Sequence, residues 1–373
     1  MRGAAAPVEL PLFASFLLAG VLTVLLGPLI SELLAREIVT EAQAALLFPA
    51  QFAFSSLGSV LSTLHLRRSL QAGYLACAVG LGVLSLMSWP LLVVGTALLG
   101  LGLGLVIPAT NLLVAQQHPE RRAAALARLN LLWSLGAVGC PLLFVAVPRG
   151  LPLPALVGVL SLSALGAGVV ILLALRSQVP VAAPSGGPLD DAALRLTKWL
   201  ALGAMLFLYV GAESAIGGWL VTLSDRVGGE KSLASLLIGS GFWAALLVGR
   251  AVTPLLLRRL SEPELFRVAL ALAAAGTLAV LLAGSRTGVA AGAIAAGLGL
   301  APIFPLTVSR IATETQGGSR RAGWVFIGSG LGGASLPWLT ARVGGMVEEL
   351  RHGLVVPIAA LALLALLARA RRT

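Results

Sequence analysis

Two charged residues stand inside apolar runs of the sequence. Glu213 lies in YVGAESAIGGWL and Arg250 ends GFWAALLVGR. A carboxylate at bilayer depth costs roughly 2.5–3.5 kcal/mol on insertion scales, so it must face a partner or a polar cavity. Two kinds of chemistry are open to it there: taking and releasing a proton, or offering hard oxygens to sodium. Tyr209 lies four residues before Glu213 and Gly217 four after, so a helix puts all three on one face. Arg250 is followed by Arg258 and Arg259. It can gate a cavity by pairing with a carboxylate or with helix-end carbonyls, or its long stem can reach the interface. Counted by depth along their runs, Glu213 and Arg250 lie several turns apart and are not expected to pair.

Uncharged polar groups accompany them. Gln51, Asn111 and Asn130 lie within other apolar runs, with Ser134 four residues after Asn130, and the indoles of Trp133, Trp219 and Trp243 are similarly placed. An amide donates and accepts hydrogen bonds at once, which matches a hydroxyl-bearing ligand. An indole face packs on an apolar ring face. Each of these residues can equally serve a helix–helix contact, and Phe304, between Pro302 and Pro305, is in the same position. Catalytic and metal chemistry lack the residues they need. Cys77 and Cys140 are far apart, as are His65, His118 and His352. No enzyme activity, metal or cofactor is expected; a coupling ion, H+ or Na+, is the one inorganic partner that Glu213 calls for.

The elements that carry these residues follow from composition. Of 373 residues, 58% are hydrophobic and 11% charged, against roughly 25% charged in a soluble protein. So little charge cannot coat a water-facing surface, and lipid is the main solvent. The net charge of +11 then reflects basic cytoplasmic loops, not a nucleic-acid footprint. Runs long enough to cross a bilayer as helices fall at 12–31, 42–64, 70–88, 90–115, 122–147, 153–175, 199–222, 233–256, 265–284, 287–309, 321–341 and 353–368. The fold class is an all-α membrane protein with twelve transmembrane helices. The first run is too long for a signal peptide and further spans follow it at once.

The longest polar link, 176–198, follows the sixth run and divides the chain into an N-terminal half, 1–175, and a C-terminal half, 199–373. Landmarks recur in order across it. GLGLGL at 100–105 is matched by GLGL at 297–300, PERRAA at 119–124 by GSRRAG at 318–323, and GAVGCP at 136–141 by GLGGASLP at 330–337, at offsets of 196 to 199 residues. Two repeated six-helix halves are one way secondary transporters are built. With both termini in the cytoplasm, 18 of the 26 basic residues fall at cytoplasmic ends and 7 at outer ends, as the positive-inside rule requires.

Six segments carry a family likeness: LLFPAQFAFSSLGSVLS at 46–62, NLLVAQQHPERRAAALARLN at 111–130, YVGAESAIGGWL at 209–220, GFWAALLVGR at 241–250, GLGLAPIFP at 297–305 and GWVFIGSGLGGASLPWL at 323–339. By them the whole chain resembles the major facilitator superfamily, and within it the fucose–proton symporters and sodium-dependent glucose transporter-like proteins. Asn111 matches the group's asparagine in the fourth span. Ser62 stands where the superfamily's acid after the second span is expected, and Ile107 where the fucose group often has a carboxylate. The resemblance implies a monomeric secondary active transporter in the cytoplasmic membrane. It would move a small polar solute, a sugar, by alternating access with H+ or Na+ coupling. The alternative is a proton-coupled drug or metabolite efflux antiporter. On this reading Gln51, Asn111, Asn130, Trp133, Glu213, Trp219 and Trp243 bind solute, Glu213 also binds the coupling cation, and Arg250 gates. The orientation has a direct check. A cysteine placed at Ser185 is expected to react with a membrane-impermeant thiol reagent only after the cytoplasmic side is exposed, and reaction from outside intact cells would invert the topology.

Overall fold

The computed structural model describes residues 9–62, 64–117, 122–146, 150–176, 196–314, 322–347 and 349–370. Among these residues every regular element is helical. Most of the link 176–198 lies outside them, as do half of PERRAA at 119–124 and most of GSRRAG at 318–323. Helices are the expected outcome, because lipid offers no partner for a backbone amide and an α-helix satisfies its own.

The helices are α1 (Glu9–Val24), α2 (Leu26–Ala35), α3 (Glu41–Ser62), α4 (Leu66–Leu84), α5 (Trp89–Gln117), α6 (Arg122–Leu143), α7 (Leu153–Arg176), α8 (Leu196–Val227), α9 (Leu233–Leu256), α10 (Glu262–Leu282), α11 (Arg286–Leu300), α12 (Ile303–Glu314), α13 (Ala322–Met346) and α14 (Val355–Ala370), with short 3-10 turns at Phe144–Ala146 and Leu350–Leu354. Two of the twelve expected spans are broken. The first is α1 and α2, bent by 42° at Leu25. The tenth is α11 and α12, interrupted just where Pro302 removes a backbone donor. By length and composition, nine helical spans among the described residues can cross a membrane, and the bent α1–α2 pair makes ten. They correspond to all the expected spans except the third and eleventh, where α4 and α13 lie. α4 is the less apolar for carrying Arg67 and Arg68 in its first turn.

Contacts divide the chain into two compact units, Met1–Leu25 with Ala50–Ser185, and Leu26–Pro49 with Gly186–Thr373. The chain changes unit at the α1–α2 bend and at Pro49 within α3. Inside the first unit α4 packs on α5 and α7, and α1 on α6; inside the second, α8 packs on α13, α14, α2 and α9, and α11 packs on α9 and α10. The α8 span, with 56% of its most apolar stretch buried, is far more enclosed than α7 with 28%. Large apolar side chains such as Leu10, Leu162 and Leu282 remain exposed, the arrangement of helices solvated by hydrocarbon.

The internal repeat reappears as matched packing within each unit. In GLGLGL, Gly100 abuts the backbone of Gln51 on α3, while Gly102 abuts Gly73 and Cys77 on α4. In the second unit, Gly297 abuts Phe242 on α9, and Gly299 abuts Ala273 on α10. So the first glycine of each pair meets its half's second span, and the other meets the third. Likewise Gly136 on α6 abuts the Leu17 carbonyl of α1, and Gly332 on α13 abuts the Phe207 carbonyl of α8. The chain therefore comprises two pseudo-symmetric six-helix halves. Without a side chain at these points the helix backbones come together closely, which is what holds helices in lipid. Gly139 departs from this pattern: a Cβ there would meet nothing within 4 Å.

That difference is measurable. Gly297→Ala would place a Cβ 2.6 Å from the Phe242 carbonyl oxygen and is expected to lower stability by about 1–3 kcal/mol or more, as overpacking does. Gly139→Ala fills open space in a helix and is expected to raise it by about 0.5–1 kcal/mol. Thermal unfolding in detergent compares the two, and equal effects would contradict the packing described.

Candidate functional site

The long helix α8 carries Glu213, with Tyr209 and Gly217 on the same face, and α9 runs back alongside it. Arg250 Nη2 lies 3.4 Å from Glu213 Oε1, and the two side chains are 23% and 13% exposed. The sequence reading, which set them several turns apart, is corrected here. Its error was to count depth from the ends of the apolar runs. α8 ends at Val227, 14 residues after Glu213, and α9 begins at Leu233, 17 residues before Arg250. At about 1.5 Å per residue the two levels differ by about 4–5 Å, which a guanidinium on its stem can span. The same count puts Gly217 and Trp243 level with each other, and the indole does rest on Gly217.

The surroundings of the pair are aromatic. The buried Tyr209 hydroxyl lies near both charged groups, with no close hydrogen bond among the described residues. Its ring stacks on Phe304 at 5.7 Å, which the break before α12 turns towards α8. Trp243 meets Phe242 edge-on at 5.1 Å. Trp219 is placed differently. It is fully buried, its indole N–H donates to the Pro337 carbonyl at 2.9 Å, and it packs on Phe48 at 5.6 Å. In this structure it offers no surface to a ligand.

In the first unit the predicted polar residues converge only in part. Gln51 and Trp133 meet at Thr23, a residue the sequence reading passed over. Gln51 Nε2 donates to the Thr23 carbonyl at 3.2 Å and the Trp133 indole N–H to the Thr23 hydroxyl at 3.4 Å. Thr23 lies in the last turn of α1, where carbonyls lack intrahelical partners, so Gln51 caps the helix just before its bend. Gln51 Oε1 is buried and meets no donor among the described residues. Asn111 and Asn130 each donate to the carbonyl four residues back on their own helices, Ile107 and Leu126, both at 2.8 Å.

A second polar cluster, also unanticipated, joins α2 and α3 to the C-terminal end of α8. Glu32, 1% exposed, pairs with Lys231 and with Arg36 at 3.4 Å. Ser31 donates to Asp225 Oδ2 at 2.7 Å, Ser232 N donates to Asp225 Oδ1 at 3.0 Å, and Glu41 pairs with Arg226. The only hint in the sequence was an acid, Glu32, in an otherwise apolar turn. Buried charges persist only when paired.

Mostly apolar helices of spanning length that carry a largely buried ion pair suit a membrane transport protein. The model of the Major Facilitator Superfamily matches residues 12–370, and the chain belongs to that family. No curated protein matches it in sequence. Among solved structures it is similar to a bacterial homologue of the human lysosomal transporter Spinster in an inward-facing, occupied conformation, with TM-score 0.76, 15% identity, and 97% of this chain and 96% of that one covered. It is also similar to the E. coli fucose:proton symporter FucP, with TM-score 0.65, 18% identity, and 97% and 98% covered. These likenesses establish the fold.

The Glu32 cluster yields a test that does not depend on transport. Lys231→Met leaves a buried carboxylate with one partner fewer and is expected to lower the unfolding midpoint in detergent by several degrees. Adding Glu32→Gln to the same chain should recover part of the loss, because the uncompensated charge is then gone. Additive losses in the double variant would show that the two residues do not interact.

Proposed function

We propose that this protein is a secondary active transporter of a small polar solute, a sugar, driven by a gradient of H+ or Na+. The observation that carries the reading is the Glu213–Arg250 pair inside membrane-spanning helices. A buried acid held by a fixed cation has two states, paired and released. A proton on the carboxyl, or a sodium ion on its oxygens, weakens the hold of Arg250 and changes the balance between conformations. A driving ion acts only through such differential binding to two states. On this reading Arg250 is the counter-charge that Glu213 exchanges for the ion, and gates the site through that exchange. Solute contacts come from Trp243 beside the pair, from Gln51 and Trp133 with Thr23, and from Asn111 and Asn130. The halves 1–175 and 199–373 alternate about the link 176–198, with both termini in the cytoplasm of a cell whose inner membrane holds the protein. The fucose:proton symporter among its structural neighbours supports a sugar.

Uptake into proteoliposomes, with pH and sodium gradients imposed separately over a panel of sugars, identifies solute and ion. Glu213→Gln keeps the shape of the side chain but cannot release a proton or offer a charged oxygen. It is expected to abolish accumulation against a gradient while exchange down a gradient persists. A Glu213→Gln protein that still accumulates solute would falsify the coupling role.

A further inference from the structure

The seam between α8 and α9 is asymmetric in its burial. Tyr209 and Phe242 along it are fully buried. Glu213 and Arg250 keep 13% and 23% of their surface, and Trp243 is likewise only half-buried. On α8, Glu213 and Gly217 are one turn apart; on α9, Trp243 and Arg250 are two turns apart. Each couple shares a helix face, and the contacts place indole on Gly217 and guanidinium on Glu213. Partial exposure of an ion pair towards hydrocarbon is costly, so the open side of the pair calls for a polar volume, and the partly exposed indole lies one turn along the same seam.

Gly217 makes the arrangement possible. A Cβ there would lie 2.9 Å from Trp243 Cζ2 and 3.1 Å from Phe242 Cε1. Phe242 is fully buried and cannot easily give way, and it fixes the indole edge-on at 77°. The indole is thus clamped between a buried ring and bare backbone. Any side chain at 217 would tilt it.

We infer that Gly217 is a specificity-determining residue: by lacking a side chain it seats Trp243 one turn from the Glu213–Arg250 pair, and ring and pair together form a subsite for a neutral, ring-shaped polyhydroxy solute. The inference rests on the sugar reading above and names which feature of a sugar is selected. An apolar ring face lies on the indole. Hydroxyls, which donate and accept together, meet the carboxylate and the guanidinium. While paired, the two charges cancel, so the paired state favours a neutral solute over a charged one. Four residues of helix separate Gly217 from Glu213, about 6 Å along the axis, the width of one sugar ring.

The test uses the purified full-length protein and two probes of equal carbon number, glucose and its open-chain polyol sorbitol, in equilibrium binding with radiolabel. Wild type is expected to prefer glucose. Gly217→Ala should weaken glucose binding about tenfold, the scale of one lost ring contact, and change sorbitol binding little. Trp243→Leu, which leaves Gly217 untouched, should lose the same preference and covers the case of a poorly folded Gly217→Ala. Gly217→Ala with Trp243→Phe, a smaller ring over the added methyl, should regain part of it. Equal weakening of both probes in both single variants, or an intact preference in both, overturns the inference. Equal binding of the two probes by wild type overturns it while the polar-solute reading stands. Binding of neither probe overturns it together with the sugar reading.

Discussion

Helices in hydrocarbon gain nothing from hiding apolar surface from one another, because lipid tails are as apolar as leucine. What remains to hold them is close contact and the satisfaction of polar groups. The glycine seams of this protein meet the first requirement. Gly100 and Gly102 on α5, and Gly297 and Gly299 on α11, each present one bare point to one neighbour and one to another. A single helix thereby ties two others, and the same device recurs in both halves. α5 is accordingly among the more enclosed spans, with 61% of its most apolar stretch buried.

Within that frame the polar groups are few, and several of the buried ones are held by a neighbour from another element. Arg250 reaches Glu213 only because α8 overshoots its apolar run by several residues before turning back. Gln51 caps the end of α1 because the helix stops there, at the bend before Leu26. Glu32 is tolerated at 1% exposure because Lys231 and Arg36 both approach it. Breaks in helices thus supply sites as well as shape: the bend at Leu25 brings Thr23 to Gln51 and Trp133, and the interruption at Pro302 brings Phe304 to Tyr209.

α8 and α9 carry an ion pair and an indole on one partly exposed seam. In the function proposed for this pair, an ion opens it and the ring beside it recognises shape. The indole contact at Gly217 and the ion pair at Glu213 are one helical turn apart on α8, so on that reading coupling and recognition need no long relay.

The number and order of spans, the two-half organisation and the family were legible in the sequence because each depends on local quantities: apolar length, recurring glycines, and short motifs. Glu213 was legible for a related reason, since a lone acid in an apolar run violates the local pattern and must be explained. The partners were not. That Arg250 belongs to Glu213, that Trp219 is sealed under Pro337 while Trp243 stays open, and that Gly136 packs while Gly139 does not are decided by helix ends, by rotation about helix axes and by which neighbour lies opposite. A shift of three residues in a helix end moves a level by about 4.5 Å, more than the difference between a contact and none. Sequence fixes what each residue can do; only the packed helices decide what each one meets.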